Sequence, residues 1–254
     1  MQSSLKLKTA ASLLELNNVI TTDNKLLDKH LHGGIQLQKV TELVGKPGAG
    51  KTQLCMKLCL LVQLPAIVGG LAGQALYIDT RQCFDPHRLK ELANKIIGDY
   101  NLAVHGFRPD QMLQNVRYVE CLSAGRLIAN IIALKEYLQA NPMIKLVIVD
   151  SLSFTIRMLT NVIQRTALLV EIHEHFQFLM SSNNISIVIT NQLVVKGFCR
   201  RRKRAGEQEQ THKMLRLETT LGQKHSHFVD KRIWLSEDKY FIGKTCATKR
   251  LCVK

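Results

Sequence analysis

The sequence predicts an α/β protein with a largely parallel, twisted sheet that is covered by helices on both faces. Short β-branched apolar runs alternate with helical patterns along most of the chain, which is typical of a parallel sheet. These runs are continuously apolar, as in strands that are buried on both faces. A glycine-rich stretch at residues 45–52 joins the first of these strands to a helix.

Composition is that of an ordinary globular protein with an excess of basic residues. The 254 residues are 46% hydrophobic, which suffices for one sizeable domain or at most two small ones. The 35 Lys and Arg residues against 20 Asp and Glu give a formal net charge of +15, which suits nucleic acid or an anionic membrane surface. The apolar stretch 58–73 is too short and too interrupted to span a bilayer, and lysines break any signal-like region at the start. We therefore expect a soluble, intracellular protein without a membrane partner.

Cysteine and histidine spacing gives no indication of a metal site. The seven cysteines are odd in number and include no C-x-x-C, so neither a disulfide framework nor a zinc site is predicted. Cys55 and Cys59 lie on a predicted helix and are interpreted as reduced core residues. Histidines occur two residues apart at 30/32, 173/175 and 225/227. Residues with this spacing point away from each other on a helix, so we predict that all six are surface or loop residues.

The predicted elements follow one another in a regular order. Residues 1–35 form a lead-in with one helix at 9–16 and a turn at Gly33 and Gly34, and residues 36–254 form the core. The predicted strands are 40–44, 75–78, 116–119, 146–149 and 185–189. The predicted helices are 52–64, 86–97, 125–138 and 165–180. Residues 231–235 and 240–242 are expected to form a hairpin on an edge of the sheet.

One polar segment interrupts this order. Residues 197–218 lack clear periodicity and carry a run of five basic side chains, Arg200, Arg201, Arg202, Lys203 and Arg204. We predict a flexible basic loop over residues 194–218.

The glycine-rich stretch matches the phosphate-binding pattern G-x-x-x-x-G-K-[ST]. Its residues are Gly45, Lys46, Pro47, Gly48, Ala49, Gly50, Lys51 and Thr52. The glycines let successive backbone N–H groups point at phosphate oxygens, and the helix that follows directs its positive end to the same place. Lys51 would reach the β and γ phosphates, and the Thr52 hydroxyl would bind Mg²⁺. The flanking strand and helix are the context that the pattern requires.

A carboxylate at the end of a later strand is a second candidate ligand for the metal. Residues 146–149 are apolar and are followed by Asp150. Such a residue on its own usually caps a turn, but beside a phosphate-binding loop it is placed to hold Mg²⁺.

Four segments together resemble the RecA/RadA recombinase family, most closely its eukaryotic paralogue branch. They are GKPGAGKTQLC at 45–55, ALYIDT at 75–80, LVIVDS at 146–151 and ISIVITNQ at 185–192. Gln63, Leu64 and Pro65, followed by Gly69, Gly70 and Gly73, are most similar to the C-type paralogue. The resemblance implies a P-loop NTPase core of RecA type that uses ATP and Mg²⁺. It also implies work in the nucleus on double-strand-break repair, including meiotic recombination. The implied partners are DNA, as single strand or junction, and sister paralogues, with the main strand-exchange recombinase as a further candidate.

The resemblance also implies roles for individual residues. Arg88 corresponds to an Arg that lies against the adenine, although an ordinary solvated helix Arg is an equal alternative. Gln192 corresponds to the sensor of the γ-phosphate rather than a strand-end cap. Arg157 falls at the start of the first DNA-facing loop, and residues 200–204 fall in the second. The basic run could equally serve as a nuclear localisation signal.

The sequence departs from the family at one catalytic position. The family places a Glu that activates water after the Ile-Asp-Thr strand, whereas this chain has Arg81. A guanidinium cannot accept a proton at neutral pH, so we expect weak or absent intrinsic hydrolysis by what would otherwise be a DNA-dependent ATPase. Stabilisation of phosphate charge is the alternative role for Arg81. A scaffold subunit that uses ATP structurally is therefore the alternative function.

Overall fold

In the computed structural model, which describes residues 18–202, 210–222, 224–236 and 239–242, a sheet with six parallel strands forms the centre of the fold. The strands are β1 (Val19–Ile20), β2 (Ile35–Gln36), β3 (Val40–Gly45), β4 (Gln74–Asp79), β5 (Val116–Glu120), β6 (Ile144–Asp150), β7 (Ser186–Arg202), β8 (Gln210–Thr219), β9 (Lys231–Ser236) and β10 (Lys239–Ile242). The mixed sheet has the order β10-β9-β3-β7-β6-β4-β5, and β9 to β5 in this order are mutually parallel. All five strands predicted in the core are confirmed.

Helices cover the sheet, and most of them begin at a residue whose side chain caps them. They are α1 (Lys25–Leu31), α2 (Lys51–Leu61), α3 (Pro86–Asp99), α4 (Pro109–Gln114), α5 (Ala124–Ala140), α6 (Leu152–Arg157) and α7 (Val162–Ser182). At α3, the Asp85 side chain accepts hydrogen bonds from the N–H groups of His87 and Arg88, and Pro86 occupies the first turn. Ser123 caps α5 in the same way. Within the described residues, no helix is long and apolar enough to cross a membrane.

Alternate residues of the strands form two separate cores. Leu146 and Ile148 of β6 pack with α2 and α3 on one face. Val147 and Val149 pack with α5 and α7 on the other face. Burial on both faces explains why the central strands are continuously apolar. The fold is therefore the predicted α/β sheet with helices on both sides.

The parallel arrangement brings distant strand ends to one edge of the sheet. Gly45 at the end of β3 pairs in register with Gln192 of β7. Asp79 at the end of β4 pairs with Asp150 at the end of β6. Because parallel strands share a carboxyl edge, the loops that follow them converge there.

The segment before β3 contains structure that the sequence analysis missed. The short helix α1 begins at an Asn24 cap and contributes Leu27 and Leu31 to the same core as α2. Strands β1 and β2 form a separate antiparallel pair. The helix predicted at 9–16 lies outside the described residues.

The predicted irregular loop at 194–218 is wrong for the part that the structure describes. Strand β7 continues to Arg202 and pairs antiparallel with β8, for example Val195 with Leu217 and Arg200 with His212. Backbone hydrogen bonds alone can hold such a ribbon, so a search for apolar periodicity does not detect it. Lys203 and Arg204 lie outside the described residues. The hairpin predicted near the carboxyl terminus is confirmed, with β9 and β10 paired antiparallel at one edge.

Candidate functional site

The loop between β3 and α2 has the backbone shape of a phosphate cradle. Gly48 and Gly50 both have φ of +82°, a left-handed conformation that favours glycine. A Cβ atom added at either position would meet nothing within 4 Å. Gly50 is the N-cap of α2 and makes no side-chain capping bond among the described residues. The first N–H groups of α2 are therefore available to an anion.

Lys51 lies at the start of α2 with its ammonium group folded back over the loop. Its Nζ donates hydrogen bonds to the carbonyl oxygens of Gly45 at 2.9 Å and Lys46 at 2.8 Å. Burial lowers the pKa of Lys51; the Asp150 carboxylate opposes this effect and the charge of Arg81 adds to it. The ammonium group is thus held at the loop by carbonyls that a phosphate oxygen can replace.

Thr52 and Asp150 meet across 98 residues of sequence. The Thr52 hydroxyl donates to Asp150 Oδ2 at 2.6 Å. Asp150 is 3% exposed. The two groups are oxygen donors of the kind that Mg²⁺ prefers. Thr52 follows Lys51 on α2 and is bonded to Asp150, so the two oxygen ligands fit Mg²⁺ bound together with the phosphates of ATP.

Two further hydroxyls orient Asp150, and the sequence analysis did not identify them. Tyr77 of β4 donates to Asp150 Oδ2 at 2.7 Å. Thr190 of β7 donates to Asp150 Oδ1 at 2.6 Å. Each residue places a hydroxyl within an otherwise aliphatic strand, and this interruption is the sequence feature that could have identified them. Burial and the neighbouring Asp150 raise the pKa of the Tyr77 hydroxyl, so it remains a proton donor to the carboxylate.

Gln192 lies next to the loop, as its strand position predicts. It pairs in register with Gly45, and its N–H lies 3.3 Å from Ser153 Oγ. Its carbonyl accepts hydrogen bonds from the N–H and hydroxyl of Thr220 at 2.9 and 2.8 Å. Gln192 thus connects the phosphate-loop edge of the sheet to the end of the β7–β8 ribbon.

Arg88 lies on α3 beside the start of α2 but already has partners. Its guanidinium donates to Gln53 Oε1 at 3.1 Å and pairs with Glu91 at 2.6 Å. Gln53 directly follows Thr52, so Arg88 is near the site. Its ion pair with Glu91 is also typical of a solvated helix residue. Contact with the adenine and the role of an ordinary solvated Arg therefore both stay predictions.

The described residues that were predicted to contact DNA belong to other elements than the phosphate loop. Arg157 is exposed at the end of α6 and is followed by the exposed Met158. Exposed Val162 and Ile163 begin α7. Arg200, Arg201 and Arg202 end β7, near the distal end of the ribbon.

Two of the histidines predicted to be surface or loop residues are buried. His173 and His225 are each 1% exposed. His173 Nε2 lies 3.0 Å from His225 Nδ1, and the His173 ring stacks on Phe228. The prediction was wrong because α7 presents His173 to the sheet where β3 and β9 carry polar side chains.

These histidines belong to a buried polar cluster beneath the phosphate loop. We use this name for Glu42, Asn191, Arg232, His225 and His173. Glu42 Oε1 lies 2.7 Å from Asn191 Nδ2 and 3.1 Å from His225 Nε2, and Glu42 Oε2 accepts from Arg232 Nε. Glu42 is three residues before Gly45 on the same strand, and Asn191 is next to Gln192.

The cluster shifts the pKa values of two of its members. Burial by itself would raise the pKa of Glu42, but hydrogen bonds and charges from His225 and Arg232 outweigh it and lower that pKa. Burial lowers the pKa of His173 to about 3, and the charge of His225 adds to this effect. The folded protein therefore favours an ionised Glu42 and a neutral His173.

Comparison with known proteins relates this chain to the Rad51 family. The model of the Rad51 family matches residues 15–211. The DNA repair protein RAD51 homolog 3 of Cricetulus griseus is 35% identical over 204 residues, which cover 74% of this chain and 56% of the relative. The DNA repair and recombination protein RadA of Aeropyrum pernix is 34% identical over 200 residues, covering 76% of this chain and 60% of the relative. RadA of Metallosphaera sedula is 33% identical over 181 residues, covering 70% and 53%. The chain thus spans little more than half the length of these relatives.

Proposed function

Because this chain belongs to the Rad51 family, we propose that it is an ATP- and DNA-binding recombination paralogue. It would assist homologous-recombination repair of DNA double-strand breaks in the nucleus, including meiotic recombination, together with sister paralogues. One observation carries the nucleotide part of this proposal. Lys51, Thr52 and Asp150 converge at the carboxyl edge of the sheet, with the Thr52 hydroxyl bonded to Asp150.

The chain's own residues would divide the work of binding between them. The N–H groups at the start of α2 would hold phosphate oxygens, and Lys51 would exchange its loop carbonyls for the β and γ phosphates. Thr52 and Asp150 would hold Mg²⁺, which neutralises phosphate charge when it is bound. Gln192 would sense the terminal phosphate and pass its state to the β7–β8 ribbon through Thr220.

DNA binding would use the basic residues outside this site. Arg157 and the run from Arg200 to Arg204 would contact phosphates, in keeping with the net charge of +15. The ribbon pairs ten residues of β7, from Leu193 to Arg202, with β8. Ten strand residues extend over roughly 33 Å, which is long enough to present the run away from the sheet. The same run would also serve as a nuclear import signal.

A non-hydrolysing scaffold is the second candidate function, and Arg81 favours it. This residue stands where the family has its water-activating Glu, and a positioned base contributes roughly 10²–10⁴-fold to rate. ATP would then act as a ligand that stabilises the fold and its interfaces. A partner subunit could also supply the missing group in trans.

Nucleotide titration of the full chain tests the first part. A fluorescent ATP analogue with Mg²⁺ should bind the unchanged protein, and Lys51→Ala should abolish or strongly weaken binding. Lys95→Ala, which removes the same charge from an exposed site in the middle of α3, is the matched control. Folded protein that binds no nucleotide would refute the proposal.

Turnover and partner capture then separate the two candidates. Strong ATP hydrolysis stimulated by single-stranded DNA and lost in Lys51→Ala would support an active ATPase. A scaffold should show no such turnover, and folded Lys51→Ala should still capture the sister paralogues.

Salt-dependent binding tests the DNA part. Replacing residues 200–204 by Gln should lower affinity for single-stranded DNA. The slope of log K against log salt should become shallower by about 0.7 for every phosphate that the variant no longer neutralises. An unchanged slope would leave only the import role for this run.

A further inference from the structure

The turn after β4 is rigidly attached to the strand that carries Asp150. The Thr80 N–H donates to the Asp150 carbonyl at 2.8 Å, and the Thr80 hydroxyl donates to the Ser151 carbonyl at 2.9 Å. The Asp79 carboxylate accepts the N–H groups of Arg81 and Phe84 at 2.8 and 2.9 Å. The backbone position of Arg81 is therefore fixed relative to Asp150.

Asp79 cannot take over the role of the missing Glu. It is 1% exposed, and each of its oxygens accepts a backbone N–H within the turn. A carboxylate engaged in this way holds the turn and is unavailable to water. The first exposed side chain of this turn is therefore that of Arg81, which is a cation.

Arg81 is exposed and follows the end of β4, which pairs with the end of β6 that carries Asp150. Its Cζ is 5.7 Å from the centre of the Phe154 ring, a contact that orients a guanidinium. Its charge acts on the Lys51 ammonium. Among the described residues no carboxylate forms an ion pair with Arg81. Two like charges thus face the same region, and an anion between them would relieve their repulsion.

We propose that Arg81 binds the terminal phosphate of a nucleoside triphosphate and makes the site select ATP over ADP. The inference rests on the nucleotide binding proposed above. The γ-phosphate is the group that ADP lacks, and Arg forms charge-assisted hydrogen bonds to phosphate that a Glu at this position could not form. With Arg81 in place of the family's Glu, the site would have a phosphate ligand where the family has a base that promotes ATP hydrolysis.

The test compares the affinities of two nucleotides rather than turnover. The full chain would be titrated with Mg²⁺ and either the non-hydrolysable imido analogue of ATP or ADP. Arg81→Gln should weaken binding of the ATP analogue roughly tenfold and change ADP binding less than about twofold, as expected for a partly exposed bond to a charged group. Arg81→Lys should retain part of the preference, since it keeps the charge but not the planar donors.

Arg108→Gln is the matched control. It removes the same charge from an exposed residue directly before α4. Helix α4 leads into the amino end of β5, so Arg108 lies at the opposite edge of the sheet from Arg81. This variant should bind both nucleotides as the unchanged protein does. A preference for ATP that Arg81→Gln leaves intact, or an equal loss of both nucleotides in that variant, would overturn the inference. Unchanged protein that binds neither nucleotide would instead refute the underlying proposal of nucleotide binding.

Discussion

The buried ion pair between Glu42 and Arg232 leads to a prediction about stability. Glu42 is fully buried and Arg232 is 4% exposed, and β3 and β9 place them side by side in register. Glu42→Gln keeps the shape of the side chain and removes its charge. The contact between the Glu42 carboxylate and Arg232 Nε would then be lost inside the core.

The expected loss in the free energy of unfolding of Glu42→Gln is large in comparison with the stability of a typical domain. Breaking a buried pair by removing one partner costs about 3–5 kcal/mol, because the other charge remains desolvated. Glu42 also accepts a hydrogen bond from Asn191 and lies 3.1 Å from His225 Nε2, which places the expected loss of stability towards the upper end. Typical domains are stable by about 5–15 kcal/mol, so the variant should unfold at much lower denaturant concentration.

Urea unfolding followed by circular dichroism measures this loss, and a double-mutant cycle apportions it. Glu42→Gln combined with Arg232→Met should lose less stability than the sum of the two single variants, since each single variant already removes the contact between the two charges. Glu91→Gln is the matched control: Glu91 forms a pair with Arg88 at 2.6 Å but its side chain is 65% exposed. Its loss should be about 0–1 kcal/mol.

Two results would refute this reasoning. A loss for Glu42→Gln as small as that of Glu91→Gln would mean that the buried charge is compensated in another way. If the stability losses of the two single variants added up to that of the double variant, Glu42 and Arg232 would not stabilise each other. Either outcome would mean that the two buried charges do not stabilise the fold by pairing with each other.

Three further predictions concern His173, Asp150 and Arg81. With a pKa of about 3 for His173 in the folded state and about 6.5 when unfolded, the unfolded chain binds more protons between these values. Stability should therefore fall as the pH falls through this window, by roughly 1 kcal/mol from pH 7 to 5.5. Urea unfolding of His173→Gln at both pH values should lack this loss, and an unchanged pH dependence would contradict the prediction. Asp150→Asn should weaken nucleotide binding in Mg²⁺ but much less in EDTA, and equal weakening in both would argue against a metal role. Arg81→Glu should raise the rate of ATP hydrolysis, by at most roughly 10²–10⁴-fold, whereas Arg81→Gln should not raise it. A phosphate-release assay measures both rates, and equal rates for the two variants would contradict the argument that the site lacks a base.

The sequence by itself determined the layered α/β fold and the phosphate loop. Both are readable because their signals are local. Residues 45–52 are contiguous, so the turn, the helix start and the two candidate ligands, Lys51 and Thr52, occur in one stretch. The continuous apolar runs indicated strands buried on both faces, and the two cores confirm this interpretation.

Only the tertiary structure decided which distant side chains meet. Tyr77 and Thr190 reach Asp150 because β4 and β7 flank β6 on its two sides. His173 is buried because α7 lies over polar residues of β3 and β9, which helical spacing alone could not indicate. Strand order and register fix these contacts, and neither leaves a local pattern in the sequence. The β7–β8 ribbon escaped notice for the related reason that backbone pairing requires no apolar repeat.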